Sequence, residues 1–199
     1  MRKIGLMGGT FDPIHNAHIS LAKYAKKQYN LDSVIFMTGG NPPHKKDKCV
    51  TDAKIRYEMT KIAIDGIDGF FASDYEVNKE DYSYSVNTLK WLLDKYKGAK
   101  IYFIIGEDSL SYIDKWYCPD VIVSLCTLLV YPRESMETLK AIAEDVKSKL
   151  GGDVEIINAP VFNISSTDIR ERIKQGLDVN GMLPYAVYEY IKDNKLYGN

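Results

Sequence analysis

His15, His18 and His44 are the only histidines in this 199-residue chain, and all three lie in its first quarter, each after a Gly- or Pro-rich stretch. An imidazole can ligate a metal, carry a proton or hold an anion. A surface-loop role would suffice for any one of them, but the shared placement argues for a site. His15 and His18 stand three residues apart at the expected start of a helix, so both leave one face of its first turn. Backbone N–H groups there lack partners and the helix dipole favours negative charge, so two imidazoles at that end form a clamp for phosphate oxygens. A zinc pair is the rival reading, yet the spacing is not the i, i+4 of H-E-x-x-H, and no nearby Cys or Glu completes a ligand set. A second anion-type segment is Ser165-Ser166-Thr167-Asp168-Ile169-Arg170. Ser165 or Ser166 could act only as a helix cap. Arg170 could be an exposed partner of Glu171 or Asp168, but a cation in a first helical turn opposes the dipole unless an anion offsets it. The chain has no G-x-x-x-x-G-K-[ST] loop, no G-x-G-x-x-G and no G-x-S-x-G elbow, which weighs against P-loop NTPases, dinucleotide-binding fingerprints and α/β-hydrolases.

The elements that must position these residues alternate. Short apolar runs at 2–7, 34–37, 70–76, 101–105, 127–131 and 154–157 predict strands. Helical spacing predicts helices at 16–29, 52–65, 86–97, from a Ser135 cap to residue 150, and at 167–175 and 185–194. On the second helix Ile55, Met59, Ile62 and Ala63 are the expected buried face. Strands alternating with helices imply an α/β fold: a Rossmann-like parallel sheet with helices on both faces and a small helical C-terminal extension. No linker or repeat divides it, so residues 1–199 read as one domain.

Composition narrows the class further. Hydrophobic residues make up 45% and charged residues 27%, with a net charge of −1, as in an ordinary globular protein without a diffuse field for nucleic acid or anionic membrane. Residues 1–50 nevertheless hold eight Lys or Arg against three Asp, which points to a local anion site. Three cysteines without a C-x-x-C pair fit a reducing compartment. The apolar run at 121–131 is interrupted by Ser124 and Thr127 and is too short for a bilayer, which needs about 20 residues. Gly8-Gly9 comes too early for a signal-peptide core, so a cytoplasmic location is expected.

Gly8-Gly9-Thr10-Phe11-Asp12-Pro13-Ile14-His15-Asn16-Ala17-His18 resembles the signature loop of the nucleotidylyltransferase superfamily, and Ile164-Ser165-Ser166-Thr167-Asp168-Ile169-Arg170 its second motif. Between them, Asn41-Pro42-Pro43-His44-Lys45, Ser83-Tyr84-Ser85-Val86-Asn87-Thr88-Leu89 and Phe103-Ile104-Ile105-Gly106-Glu107-Asp108 resemble the inner motifs of the bacterial nicotinate-nucleotide adenylyltransferase family. The resemblance implies transfer of AMP from ATP to nicotinate mononucleotide, giving deamido-NAD and pyrophosphate in NAD biosynthesis. It puts His15, His18 and Arg170 in the catalytic set. Gly9, Thr10, Phe11, Lys45, Gly106, Asp108, Ser165 and Ser166 fall to ATP, and Asn41, Ser85, Trp116 and Tyr117 to the mononucleotide. It also implies Mg²⁺ carried on the ATP phosphates, and leaves open a homo-oligomer. On residue type alone Asp108 could instead cap a helix, and Trp116 could be core. Three positions depart from the family pattern: Ala17 replaces Gly, Ser85 replaces Thr, and Asn87 replaces Asp.

Two alternatives remain at this level. Sister enzymes acting on phosphopantetheine, or transferring CMP to a polyol phosphate, tend to be shorter and to carry Thr where this chain has His15. A non-catalytic nucleotide-binding module would bind ATP without releasing pyrophosphate, and the intact His15, His18 and Arg170 argue against it.

Overall fold

The computed structural model describes residues 1–40, 50–79, 82–132 and 136–198. Six strands, β1 (Lys3–Gly9), β2 (Ser33–Thr38), β3 (Phe70–Ser73), β4 (Lys100–Gly106), β5 (Thr127–Tyr131) and β6 (Asp153–Ile156), form a sheet in the order β3-β2-β1-β4-β5-β6. Each adjacent pair is parallel. The strand order reverses between β1 and β4, and at such a switch point a crevice opens at the strands' carboxyl ends.

The central strands are apolar on both faces because side chains alternate along a strand. In β2, Val34 and Phe36 enter one core, while Ile35 and Met37 enter the other. In β4, Tyr102 and Ile104 face the first core and Ile101, Phe103 and Ile105 the second. The first core is closed by α1 (Asn16–Tyr29), α2 (Ala53–Ile64), α7 (Ser166–Lys174) and α8 (Tyr185–Asp193). The second is closed by α3 (Ser85–Lys95), α4 (Glu107–Ser111), α5 (Pro119–Leu125) and α6 (Met136–Leu150). Each fully buried Leu, Ile or Phe in these layers contributes about 1.5–3 kcal/mol relative to exposure. The expected C-terminal extension is therefore part of the layer that holds α1, with Val187 and Ile191 of α8 buried there.

The structure differs from the sequence-based expectation in several places. Residues 107–125 form two short helices with a 3₁₀ turn, Ile113–Lys115, between them. Here α5 starts with Pro119 in its first turn, where the missing N–H costs nothing. Strand β3 stops at Ser73, because the chain turns at once, with Asn78 N–H bonded to Asp74 O. On α2 the buried face is rotated: it carries Arg56, Met59, Thr60, Ala63 and Ile64, and leaves Ile55 and Ile62 partly buried. The Ser135 cap lies outside the described residues.

Candidate active site

Strand β1 delivers the chain to its carboxyl end at Gly9, and residues 10–14 then loop into α1. Phe11 takes a left-handed backbone turn (φ 50°) that tucks its ring into the core, 2% exposed. A Cβ at Gly9 would lie 2.5 Å from that ring, so no larger residue fits there. The Phe11 ring meets His18 edge-on at 5.1 Å. The Phe11 ring therefore packs beneath His18 and is not part of the cleft wall.

His15 is the N-cap of α1 and His18 its third residue, in a capping-box arrangement. The His15 backbone N–H donates to His18 Nδ1 at 3.2 Å. An accepting Nδ1 carries no proton, so a neutral His18 holds its hydrogen on Nε2 and presents a donor there. The two imidazoles stack at 3.7 Å, and no acidic residue occupies the first turn of α1. A second helix N-terminus borders the same space. Ser165 is the N-cap of α7, its Oγ accepting from Asp168 N–H at 3.1 Å, while Ser166 Oγ donates to Pro13 O at 2.9 Å. Arg170 donates from Nη1 to Asp12 O at 2.7 Å and from Nη2 to Thr167 Oγ1 at 3.3 Å. Its expected alternative partner Asp168 is taken by Arg172.

These groups line a cleft of about 570 Å³. Thr10, His15, His18, Ser165, Ser166 and Arg170 all border it, as do Ala17 and Tyr131. Gly106 is not among the cleft-lining residues but pairs in the sheet with Tyr131, which is, and a Cβ there would come within 3.1 Å of the Tyr131 hydroxyl. Asp108 lies in the first turn of α4, where Gly106, not Asp108, is the N-cap.

Of the residues expected at the mononucleotide, Ser85, Trp116 and Tyr117 lie on the other face of the sheet. α3 begins at Ser85, with Tyr84 as an N-cap that makes no side-chain capping bond. Tyr117 lies against Tyr84 at 4.8 Å, joining the two segments, and is 59% exposed. Trp116 packs edge-on against Phe103 of β4. Asn87 is exposed. Asn41 and Lys45 lie outside the described residues, as does His44.

Several residues of the site were not expected from sequence. Arg56 is 1% exposed and donates to four carbonyls: Thr51 (2.7 Å), Thr10 (2.6 Å), Gly39 (2.7 Å) and Gly40 (3.2 Å). It ties the ends of β1 and β2 to the start of α2. Burial pushes its pKa down, and the nearby Asp12, Tyr197 and Asp52 pull it back up. Asp12, 5% exposed, accepts from Tyr197 Oη at 2.6 Å and from Thr51 N–H at 3.2 Å. The only sequence signal for Arg56 was its i, i+4 pairing with Thr60 beside Met59, a polar pair on an otherwise apolar face.

A model of the cytidylyltransferase-like family matches residues 6–172. A relative from Clostridium botulinum (strain Loch Maree), named "probable nicotinate-nucleotide adenylyltransferase", is 44% identical over 195 residues, 96% of this chain and 97% of its own. Another, from strain Eklund 17B and bearing the same name, is 42% identical over 199 residues, covering 99% and 98%. Among solved structures, the Plasmodium falciparum nicotinic acid mononucleotide adenylyltransferase complexed with NaAD superposes with a TM-score of 0.79. It is 21% identical, with 99% of this chain and 98% of that one covered, so the likeness speaks to the fold.

Proposed function

The chain belongs to the cytidylyltransferase-like family, and from that membership we infer that it is a nucleotidyltransferase moving AMP from ATP to nicotinate mononucleotide in NAD biosynthesis. The observation that carries the reaction type is the convergence of two helix N-termini, His15, His18 and Arg170 on one cleft at the sheet's switch point. The near full-length relatives carry the choice of substrate.

In this reading an ionised phosphate oxygen of the mononucleotide attacks the α-phosphorus of ATP. A new P–O bond forms, the bond to the β-phosphate oxygen breaks, and pyrophosphate leaves. The attacking oxygen needs no deprotonation, so the protein supplies alignment and charge stabilisation rather than a general base. The N-terminus of α1, with His18 Nε2–H, faces the triphosphate, and Arg170 and Ser166 face it from α7. The N-terminus of α3 and the Trp116-Tyr117 segment receive the pyridine ring on the opposite face. Transfer thus crosses the carboxyl edge of the sheet. Mg²⁺ enters as part of the MgATP substrate, keeping most of its water ligands. The two carboxylates lining the cleft fit that arrangement, since Asp12 is engaged by Tyr197 and Thr51, and Asp168 by Arg172. We also take residues 1–199 as one catalytic domain, because both sheet faces contribute to one site.

The test is pyrophosphate release from MgATP with a panel of acceptors: nicotinate mononucleotide, its amide, and phosphopantetheine. Release with nicotinate mononucleotide is expected. No release with either pyridine mononucleotide overturns the assignment.

A further inference from the structure

Arg170 is held at the cleft by a run of hydrogen bonds that begins after α8. There the backbone passes twice through the left-handed region, at Lys195 (φ 50°) and Tyr197 (φ 62°), which residues with a Cβ seldom adopt. Lys195 N–H bonds to Lys192 O, and Leu196 N–H to Ile191 O. These turns fold the Tyr197 ring back against the first core, where its hydroxyl donates to Asp12 Oδ1 at 2.6 Å. The other Asp12 oxygen accepts from Thr51 N–H, and the Asp12 carbonyl accepts from Arg170 Nη1. One residue is therefore gripped at the side chain by Tyr197 and grips Arg170 through its backbone. Tyr197 itself does not line the cleft, whereas Asp12 and Arg170 do. Burial, and then the adjacent carboxylate, raise the Tyr197 pKa far above neutrality, so the phenol remains a donor across the working pH range.

We propose that Tyr197 is a positioning residue for adenylyl transfer: its hydroxyl fixes Asp12, and the Asp12 carbonyl sets the Arg170 guanidinium at the cleft wall. The role rests on the functional reading above, because alignment of Arg170 matters only if an anion is bound opposite it. Removing the phenol oxygen leaves the ring packed and the core intact. It removes one of two hydrogen bonds that fix the Asp12 side chain, leaving that from Thr51 N–H, and so loosens the carbonyl that sets the register of Arg170. A misplacement of that kind lowers the rate of a step that depends on alignment more than it lowers ground-state binding.

The experiment is Tyr197→Phe, measured by pyrophosphate release with MgATP and nicotinate mononucleotide, in the wild-type and Arg170→Lys backgrounds. In the wild-type background kcat should fall about tenfold, with KM for ATP within about twofold. Tm should move by no more than about 4 °C. In the Arg170→Lys background the same change should cost less than about twofold, because the fork it positions is gone. Full kcat in Tyr197→Phe overturns the proposal, as does a rate loss of equal size in both backgrounds or one matched by loss of folded protein. The wild type run in parallel separates this from the functional reading. If it accepts only another phosphate of the panel, the nicotinate assignment falls and the Tyr197 comparison is read on that acceptor.

Discussion

At the scale of single residues, His18 does two jobs that substitution can separate. Its Nδ1 accepts from His15 N–H, and in the proposed reaction its Nε2–H donates to the triphosphate. His18→Ala should lower kcat by about 10², the usual cost of losing one charge-stabilising donor. The lost cap should also lower stability by about 1 kcal/mol, read as a Tm drop of roughly 2–4 °C. His18→Asn retains a side-chain acceptor for the cap, so Tm should recover while the rate stays low. Recovery of both would remove the imidazole from the phosphate clamp. Arg170 divides along other lines. Arg170→Lys keeps the charge but not the planar fork that spans Asp12 O and Thr167 Oγ1, so kcat should fall substantially despite the conserved charge. A fully active Lys variant would return Arg170 to the status of a surface cation.

At the scale of elements, the sheet's carboxyl edge is held together by a few buried polar groups on helices. Arg56→Leu would leave four carbonyls, three after strands and Thr51 O before α2, without this donor, at about 1–3 kcal/mol for each one left unsatisfied. Urea denaturation should show that loss, and a loss below about 1 kcal/mol would mean that the carbonyls find other partners. Glu76, between β3 and α3, accepts from Thr88 Oγ1. Burial raises its pKa, against the opposing pull of the Thr88 and Ser83 hydroxyls and Lys79. A carboxyl whose pKa the fold raises contributes stability that is full below the ordinary carboxyl range and is lost as pH rises through the raised value. Glu76→Gln keeps the acceptor and removes the charge. Its stability relative to wild type should therefore grow from acidic to neutral pH, and a difference that does not change with pH would contradict this. The sequence made α1 legible over its full length, 16–29, because a long amphipathic stretch advertises its face. It hid α5, where Val121-Ile122-Val123 runs on towards β5 without a polar face and the helix spans only seven residues. It also misaimed α2, since the carbonyls that draw Arg56 inward come from other elements. His15, His18, Ser166 and Arg170 were legible for the opposite reason: polar types at helix starts follow a local rule. Asp12 and Tyr197, 185 residues apart, follow none.

At the scale of the whole molecule, the cleft bordered by α1 and α7 and the segment at Tyr84 and Tyr117 belong to opposite layers of one sheet. On the proposed function, the pyridine substituent is recognised by the second layer. The N-terminus of α3 lacks a side-chain cap, so its N–H donors suit a carboxylate, and a carboxamide NH₂ would leave at least one unpaired at about 1–3 kcal/mol. Catalytic efficiency should favour nicotinate mononucleotide over its amide by roughly tenfold to a hundredfold. Equal efficiencies would refute a carboxylate-selective pocket. The bond between Tyr197 and Asp12 also has a temporal meaning. The loop after β1 leaves the ribosome early, whereas the tyrosine that clasps it follows 185 residues later, an interval of about 10–40 s at about 5–20 residues per second. All six strands and Arg170 precede Tyr197 in the chain, so they are synthesised before the contact that fixes Arg170 can form. On this arrangement the full rate waits on residue 197, and a chain that ends short of it would turn over more slowly.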